Sequence, residues 1–231
     1  MEKSVEIISL VFKSIDYTRL IYNQLKSEYC KVDGWDVGVR LLLNDATPEV
    51  IDYVKTLDIP YMIYNDKNPS AFWVSRVYRC YNTGVEASKY DNICFVNSDM
   101  VFSKNWLQNL LKHHDGKNLP CSRLVEPSLG STHVITNDFG RNPNNINYDG
   151  FYNFVDQISV DEIYDGGLYM PSIFNRQKFI DLGMFPEQGV IDGMGSDRYW
   201  FNQLTAQNIL KQITVFDSIV YHISSGESQS K

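Results

Sequence analysis

The sequence predicts an α/β fold: a mostly parallel sheet flanked by helices, followed by a smaller mixed region. Two observations carry this. In the first hundred residues, short apolar runs alternate with stretches at helical spacing, and the runs stop at turns rich in Asn and Asp. The composition is globular, with 231 residues, 43% hydrophobic and 21% charged, which suffices for one full-sized domain; neither repeat nor linker divides it.

Ile7 to Phe12 reads as a buried strand, and Tyr17 to Tyr29 as a helix with Leu20, Ile21, Gln24, Leu25 and Glu28 at helical spacing. Val37 to Leu43 is the second strand, stopped by Asn44-Asp45-Ala46-Thr47-Pro48. Thr47 can cap the next helix with Pro48 at its first position, and Val50, Ile51, Val54 and Leu57 mark its apolar face. Ile59 to Tyr64 is the third strand, Ser75 to Ser88 the third helix, and Ile93 to Val96 the fourth strand, ending at Asn97-Ser98-Asp99. Such alternation implies parallel strands joined by right-handed crossovers, with ligands beyond the strands' carboxyl ends. Asp45, Asp66 and Asp99 all fall there.

The second half is less periodic. Helices are expected at Trp106 to His113, Arg176 to Leu182 and Ser196 to Gln207, and strands within Pro120 to Pro127, at Gly166 to Phe174 and at Ile213 to His222. Asn137 to Tyr148, rich in Asn, Pro, Gly and Asp, reads as a loop or lid, and Ser224 to Lys231 as a polar tail. The expected division is a nucleotide-binding half over about 1–100 and an acceptor-side half over about 101–223.

A net charge of −7, from 28 acidic and 21 basic residues, opposes non-specific attraction to nucleic acid or an anionic membrane surface. No apolar run approaches the length of a transmembrane segment, and Met1 to Glu6 lacks the pattern of a signal peptide, so a cytoplasmic location is expected. Cys30, Cys80, Cys94 and Cys121 show no C-x-x-C spacing and read as buried free thiols.

A carboxylate just past a buried strand, such as Asp99, can hold a hard divalent cation that neutralises a diphosphate leaving group. The same residue types also build ordinary turns. What surrounds the turn decides between the two. After Asn97-Ser98-Asp99 come Trp106-Leu107 and Leu110-Leu111; upstream lie Asn82-Thr83-Gly84 and Asn44-Asp45-Ala46-Thr47; downstream lie Gly195-Ser196-Asp197 with Trp200 and Leu204, then Val220-Tyr221-His222. In this order, from about Val5 to His222, the sequence resembles the family 2 glycosyltransferases with the GT-A fold.

The resemblance implies a nucleotide-sugar donor of UDP, GDP or dTDP type, Mn2+ or Mg2+, and transfer with inversion to a hydroxyl of a glycan or other acceptor. It makes Asp99 and His222 metal ligands, and places Asn82, Asn97 and Ser98 on the nucleotide, with Asn97 hydrogen-bonding ribose or phosphate. Asp197 is the expected general base, for which inversion needs one carboxylate opposite the leaving group; helix capping is its structural role, and Asp192 is the runner-up. Asp45, and after it Asp66, lie where a nucleobase would sit, and Arg76 and Arg79, one turn apart, can approach the diphosphate or lie on a solvated face. Gly167, in Asp165-Gly166-Gly167, can bring backbone close to the sugar, and Trp73, Tyr152, Tyr169 and above all Trp200 can stack on sugar rings or belong to the core. His113, His114 and His133 match nothing and are expected at the surface.

Two positions depart from the family pattern: Asn97 opens the turn where aspartate is usual, and Ser196 precedes Asp197. They motivate an alternative, a nucleotide- or carbohydrate-binding relative without catalysis. A nucleotidyltransferase would carry a Gly-rich basic loop near the first strand, and Leu10 to Tyr17 is not one.

Overall fold

The structure, a computed structural model, describes residues 3–68, 70–128, 133–168 and 170–224. The first half follows the predicted alternation: β1 (Ser4–Val11), α1 (Ile15–Leu25), β2 (Asp36–Asn44), α2 (Pro48–Lys55), β3 (Tyr61–Tyr64), α3 (Trp73–Ala87) and β4 (Asn92–Val96). These strands lie in the order β3-β2-β1-β4, all parallel. β1 and β4 are covered on both faces, which is why both read as continuous apolar runs. The first helix ends four residues before Tyr29, and Glu28–Cys30 form a separate 3-10 turn. Thr47 is the N-cap of α2 with Pro48 after it, although its hydroxyl makes no capping bond. Gly84 has a packing role, because a Cβ there would lie 2.6 Å from Leu42 Cδ1; the bare glycine lets α3 lie close on β2.

The chain continues through β5 (Met100–Phe102), α4 (Trp106–Lys112), β6 (Asn118–Glu126), β7 (Val134–Thr136), α5 (Tyr148–Ile158), β8 (Ile163–Asp165), β9 (Ser172–Asn175) and α6 (Arg176–Asp181). It then forms β10 (Val190–Ile191), β11 (Met194–Gly195), α7 (Ser196–Ala206) and β12 (Lys211–His222). The sheet extends from β4 through β9, β6 and β12 to β5, with β7 beside β6 and β8 beside β12. β9 is antiparallel to β4 and β6, β5 and β8 are antiparallel to β12, and β6 and β12 are parallel, giving the expected mixed region.

Helices α1, α2 and α4 bury Ile21, Leu25, Val50, Val54, Trp106 and Leu110 in one apolar cluster with one face of the sheet. Helices α3, α6 and α7 bury Tyr81, Val85, Phe179, Trp200 and Phe201 in another. Each fully buried side chain of this kind contributes roughly 2 kcal/mol. All four cysteines are buried and free.

The Asn137 to Tyr148 stretch is a loop as expected, with one 3-10 turn at Pro143–Asn145; the Tyr221 hydroxyl accepts from Phe139 N at 3.1 Å and donates to Gly140 O at 2.6 Å, and Asn144 Nδ2 donates to Asp16 at 2.9 Å. Two expectations need correction. Gly166 to Phe174 is not one strand; only β9 forms there, after β8 has ended. His114 is half-buried, its Nε2 2.8 Å from Asn92 Oδ1, and His133 Nδ1 lies 2.9 Å from Thr214 Oγ1. The expected polar tail beyond Ser224, and Tyr169, lie outside the described residues.

Candidate active site

β4 delivers the Asn97-Ser98-Asp99 turn, and the chain then re-enters the sheet as β5, which pairs with β12 in a register that sets Met100 against His222. Ile223 N donates to Asp99 O at 3.0 Å. This pairing brings together two residues 123 positions apart: His222 Nε2 lies 3.3 Å from Asp99 Oδ1. On the ring's other side Nδ1 lies 2.6 Å from Glu126 Oε1, from the end of the neighbouring strand β6. Burial alone would push the imidazole down; the Asp99 charge and hydrogen bond, reinforced by Glu126, outweigh it and take the pKa up to about 10. The His222 hydrogen bond holds Glu126 below the usual carboxylate range.

Asp99, His222 and Glu126 line a cleft of about 730 Å³ that also takes in Asn97, Ser98, Asn44, Lys13, Trp73, Arg76, Tyr78, Tyr81 and Asp197. Asp197 comes from the first turn of α7, where Oδ1 accepts from Arg198 N at 2.7 Å. Its burial pushes the carboxyl up, while the nearby Tyr78 hydroxyl and the backbone N–H of Arg198 oppose the shift. The two acidic positions are close enough that buried Tyr81 feels both Asp99 and Asp197.

At the other end of the cleft's sequence contributions, Arg76 donates to Asp45 Oδ2 at 2.9 Å, and Asp45 Oδ1 accepts from Asp66 N at 2.9 Å. Asp66 forms a forked pair with Arg79, at 2.7 and 3.0 Å, and accepts from Tyr64. Burial would raise Asp66, but the Arg79 bonds prevail and hold it low. Asn44 Oδ1 and Arg76 Nε are buried without a hydrogen-bond partner among the described residues, and both residues line the cleft.

Of the residues singled out from the sequence, Asp99, His222, Asn97, Ser98, Arg76 and Asp197 meet in the cleft, as does Trp73. Asp45, Asp66 and Arg79 stand behind Arg76 as a charge network and do not line the cleft. Asn82 is buried and clamps Phe185, donating to its carbonyl at 2.8 Å and accepting from its N–H at 3.1 Å. Trp200 belongs to the aromatic core with Phe174, Phe179 and Phe185, its Nε1 donating to Leu182 O at 3.4 Å. Gly167 packs where a Cβ would lie 2.9 Å from Thr214 Oγ1, and Asp192 is exposed in the β10–β11 turn. Tyr152 packs edge-on against Tyr29. Ser196 is fully buried and does not line the cleft.

Sequence reasoning missed Glu126, Tyr78 and Asn44. Glu126 ends β6, the strand expected within Pro120 to Pro127, just as His222 ends β12, which was the available signal. Among the described residues, no three His, Cys, Asp or Glu side chains are grouped so as to hold a metal ion unaided.

No family model matches the sequence, and no curated protein does. Solved structures match its shape over nearly all its length. GalNAc-T7 with UDP, GalNAc and Mn2+ is similar at a TM-score of 0.61 and 11% identity, over 95% of this chain and 43% of that one. The fold is GT-A. The GT-A mannosyltransferase PcManGT from Pyrobaculum calidifontis, with GDP-Man and Mn2+, is similar at 0.59 and 13%, over 95% of this chain and 56% of that one. TarS of S. aureus is similar at 0.59 and 14%, over 95% and 36%. The chain thus spans between about a third and rather more than half of the length of these GT-A structures.

Proposed function

We propose that this chain is a glycosyltransferase that moves a sugar from a nucleoside-diphosphate sugar to a hydroxyl of a glycan or other acceptor, with inversion and with Asp197 as general base. The observation that carries the reading is that one cleft at the strand ends holds both the Asp99–His222 pair and the separate carboxylate Asp197. Two GT-A structures of similar shape contain a nucleotide or nucleotide-sugar with Mn2+. The first hundred residues would supply most of the donor side and the remainder the acceptor side, with His222 and Glu126 reaching across to the donor's cation, within one domain.

Asp99 and His222 would hold a divalent cation in place of the proton that His222 Nε2 otherwise shares with Asp99, so that binding releases that proton. Glu126 suits this, because a carboxylate on the far ring nitrogen fixes which nitrogen faces the ion. Oxygen and nitrogen donors together favour Mn2+ over Mg2+, which takes oxygen. Bound there, the ion would neutralise the charge of the leaving diphosphate. Arg76 adds positive charge in the cleft, and Asn44 and Arg76 offer buried polar atoms for a nucleotide to satisfy.

In the transfer, Asp197 takes the acceptor hydroxyl proton while that oxygen bonds to the anomeric carbon. The bond from that carbon to the diphosphate oxygen breaks, and its electron pair leaves with the diphosphate. Burial, which raises Asp197, makes it a stronger base than an exposed carboxylate.

A panel of UDP-, GDP- and dTDP-sugars with Mn2+, assayed for donor hydrolysis and for transfer, tests the reading. Turnover of at least one donor is expected, with Asp197→Asn losing at least a hundredfold in kcat while nucleotide affinity holds. Full activity in Asp197→Asn would remove the base assignment. Nucleotide binding with no turnover of any donor would favour the alternative, a non-catalytic binding protein, for which Asn97 in the cleft is the motivating observation.

A further inference from the structure

Helix α3 forms one wall of the cleft and runs inward from its mouth. Trp73 in the first turn is 49% exposed, whereas Tyr78 and Tyr81 further along are 6% and 1% exposed, and all three line the cleft. Phe72, 52% exposed, lies against Trp73 with ring centres 5.9 Å apart and an interplanar angle of 60°. Two adjacent aromatic rings left in solvent at the mouth of a cleft mark a contact surface rather than core. We propose that Trp73, backed by Phe72, is the platform on which the acceptor stacks, and that the acceptor is a pyranoside glycan whose apolar C–H face covers the indole. This rests on the reading of Asp197 as the base that receives the acceptor hydroxyl.

The segment leading to Asp197 is pressed onto the turn that carries Trp73. Ser75 Oγ donates to Gln188 O at 2.7 Å, and a Cβ on Gly189 would lie 2.6 Å from Ser75 N, so only a bare glycine permits this approach. Gly189 O in turn accepts at 3.0 Å from the N–H of Ser196, the residue before Asp197. Deeper in the cleft, a Cβ on Gly195 would lie 2.8 Å from Asp197 Oδ1 and 3.2 Å from the Tyr78 hydroxyl, so the carboxylate sits beside α3 at the level of Tyr78. Five residues separate that level from Trp73, about 7.5 Å along the helix axis at 1.5 Å per residue. A disaccharide with its reacting hydroxyl at Asp197 spans this distance and lays its second ring on Trp73. Gln188 and Asp192, both exposed on the same segment, offer an amide and a carboxylate to the sugar hydroxyls. Arg76, one turn inward of Trp73, is held by Asp45 on the donor side, which leaves the indole outside it at the mouth.

Saturation-transfer NMR tests this with cellobiose, lactose, maltose, mannobiose and chitobiose as probes, with and without UDP or GDP and Mn2+. On irradiation of the aromatic protons, at least one disaccharide is expected to receive saturation at the axial C–H groups of one ring face. Trp73→Ala is expected to weaken that disaccharide about tenfold and Trp73→Phe, which keeps a smaller ring, less than about threefold. UDP and GDP affinity is expected to stay within about twofold of wild type, which a folding defect would not allow. Equal disaccharide affinity in Trp73→Ala and wild type, or no disaccharide bound by the wild type, would overturn the proposal. Loss of UDP or GDP affinity in Trp73→Ala would overturn it in favour of a nucleobase on the indole, and Trp73-dependent adsorption to phosphatidylglycerol vesicles without disaccharide binding in favour of a lipid surface. Absence of turnover with any donor would instead count against the reading of Asp197, while the disaccharide titration, which needs no turnover, still decides what Trp73 contacts.

Discussion

His222 sits between two carboxylates, and the two contacts do different work. Glu126 at 2.6 Å fixes the ring, leaving Nε2 toward Asp99 at 3.3 Å. Glu126→Ala is therefore expected to weaken Mn2+ binding about 10- to 100-fold, read by the paramagnetic resonance of free Mn2+ in a titration. Unchanged affinity would show that the ring needs no such support. A second imidazole makes a prediction about pH. Burial pushes His114 down to about 4 from an ordinary 6.5, with Asp115 and Lys178 acting in opposite senses. The unfolded chain then binds the proton that the folded chain refuses, so stability is lost as pH falls from 6.5 toward 4. Across that window the wild type is expected to lose about 3 kcal/mol relative to His114→Gln, seen as a shift in denaturant midpoint. Parallel pH profiles would contradict the burial argument. At this scale the sequence was informative where a residue ended a strand, as with Asp99 and His222. It was not informative about direction around a helix: Trp200 lies one turn from Asp197 yet points into the core, and Tyr78 reads by spacing as core although it also lines the cleft.

Among the elements, α3 does the most. Its Arg76 and Arg79 meet the acids that follow β2 and β3, tying the helix to the strand ends that form the cleft. The Asp66 side chain is wholly inaccessible and forked to Arg79. Asp66→Ala leaves that guanidinium buried without its partner, and a loss of about 3 kcal/mol in unfolding free energy is expected by denaturant titration. A loss below about 1 kcal/mol would mean that the network is dispensable. The long elements of the first half were legible because five or more residues of consistent periodicity mark a strand or helix. β5, β8, β10 and β11 have two or three residues each, too few to show a period; β5 and β8 also depend on β12, distant in sequence. α5 escaped because it follows an Asn-rich stretch and has few buried positions, Phe151 and Val155, to mark a face.

For the whole molecule, the strand order explains why the cleft exists. β1 lies between β2 and β4, and the parallel strands all point their carboxyl ends, with Asn44 and Asn97, to one side. The returning strands β6 and β12 add Glu126 and His222 there, so neither half of the chain makes the cleft alone. Among the described residues, no helix is long and apolar enough to cross a membrane. The order of motifs foretold the GT-A fold because these turns sit at strand ends in chain order; the pairing of β5 with β12, which unites Asp99 with His222, could not be read from local sequence. Calorimetric titration of UDP and GDP, with and without Mn2+, into the wild type and Asp99→Ala tests the central claim most directly. The account predicts saturable binding of one nucleotide that Mn2+ strengthens at least tenfold in the wild type and leaves unchanged in Asp99→Ala. Absence of binding by either nucleotide, or equal Mn2+ enhancement in the variant, would contradict it.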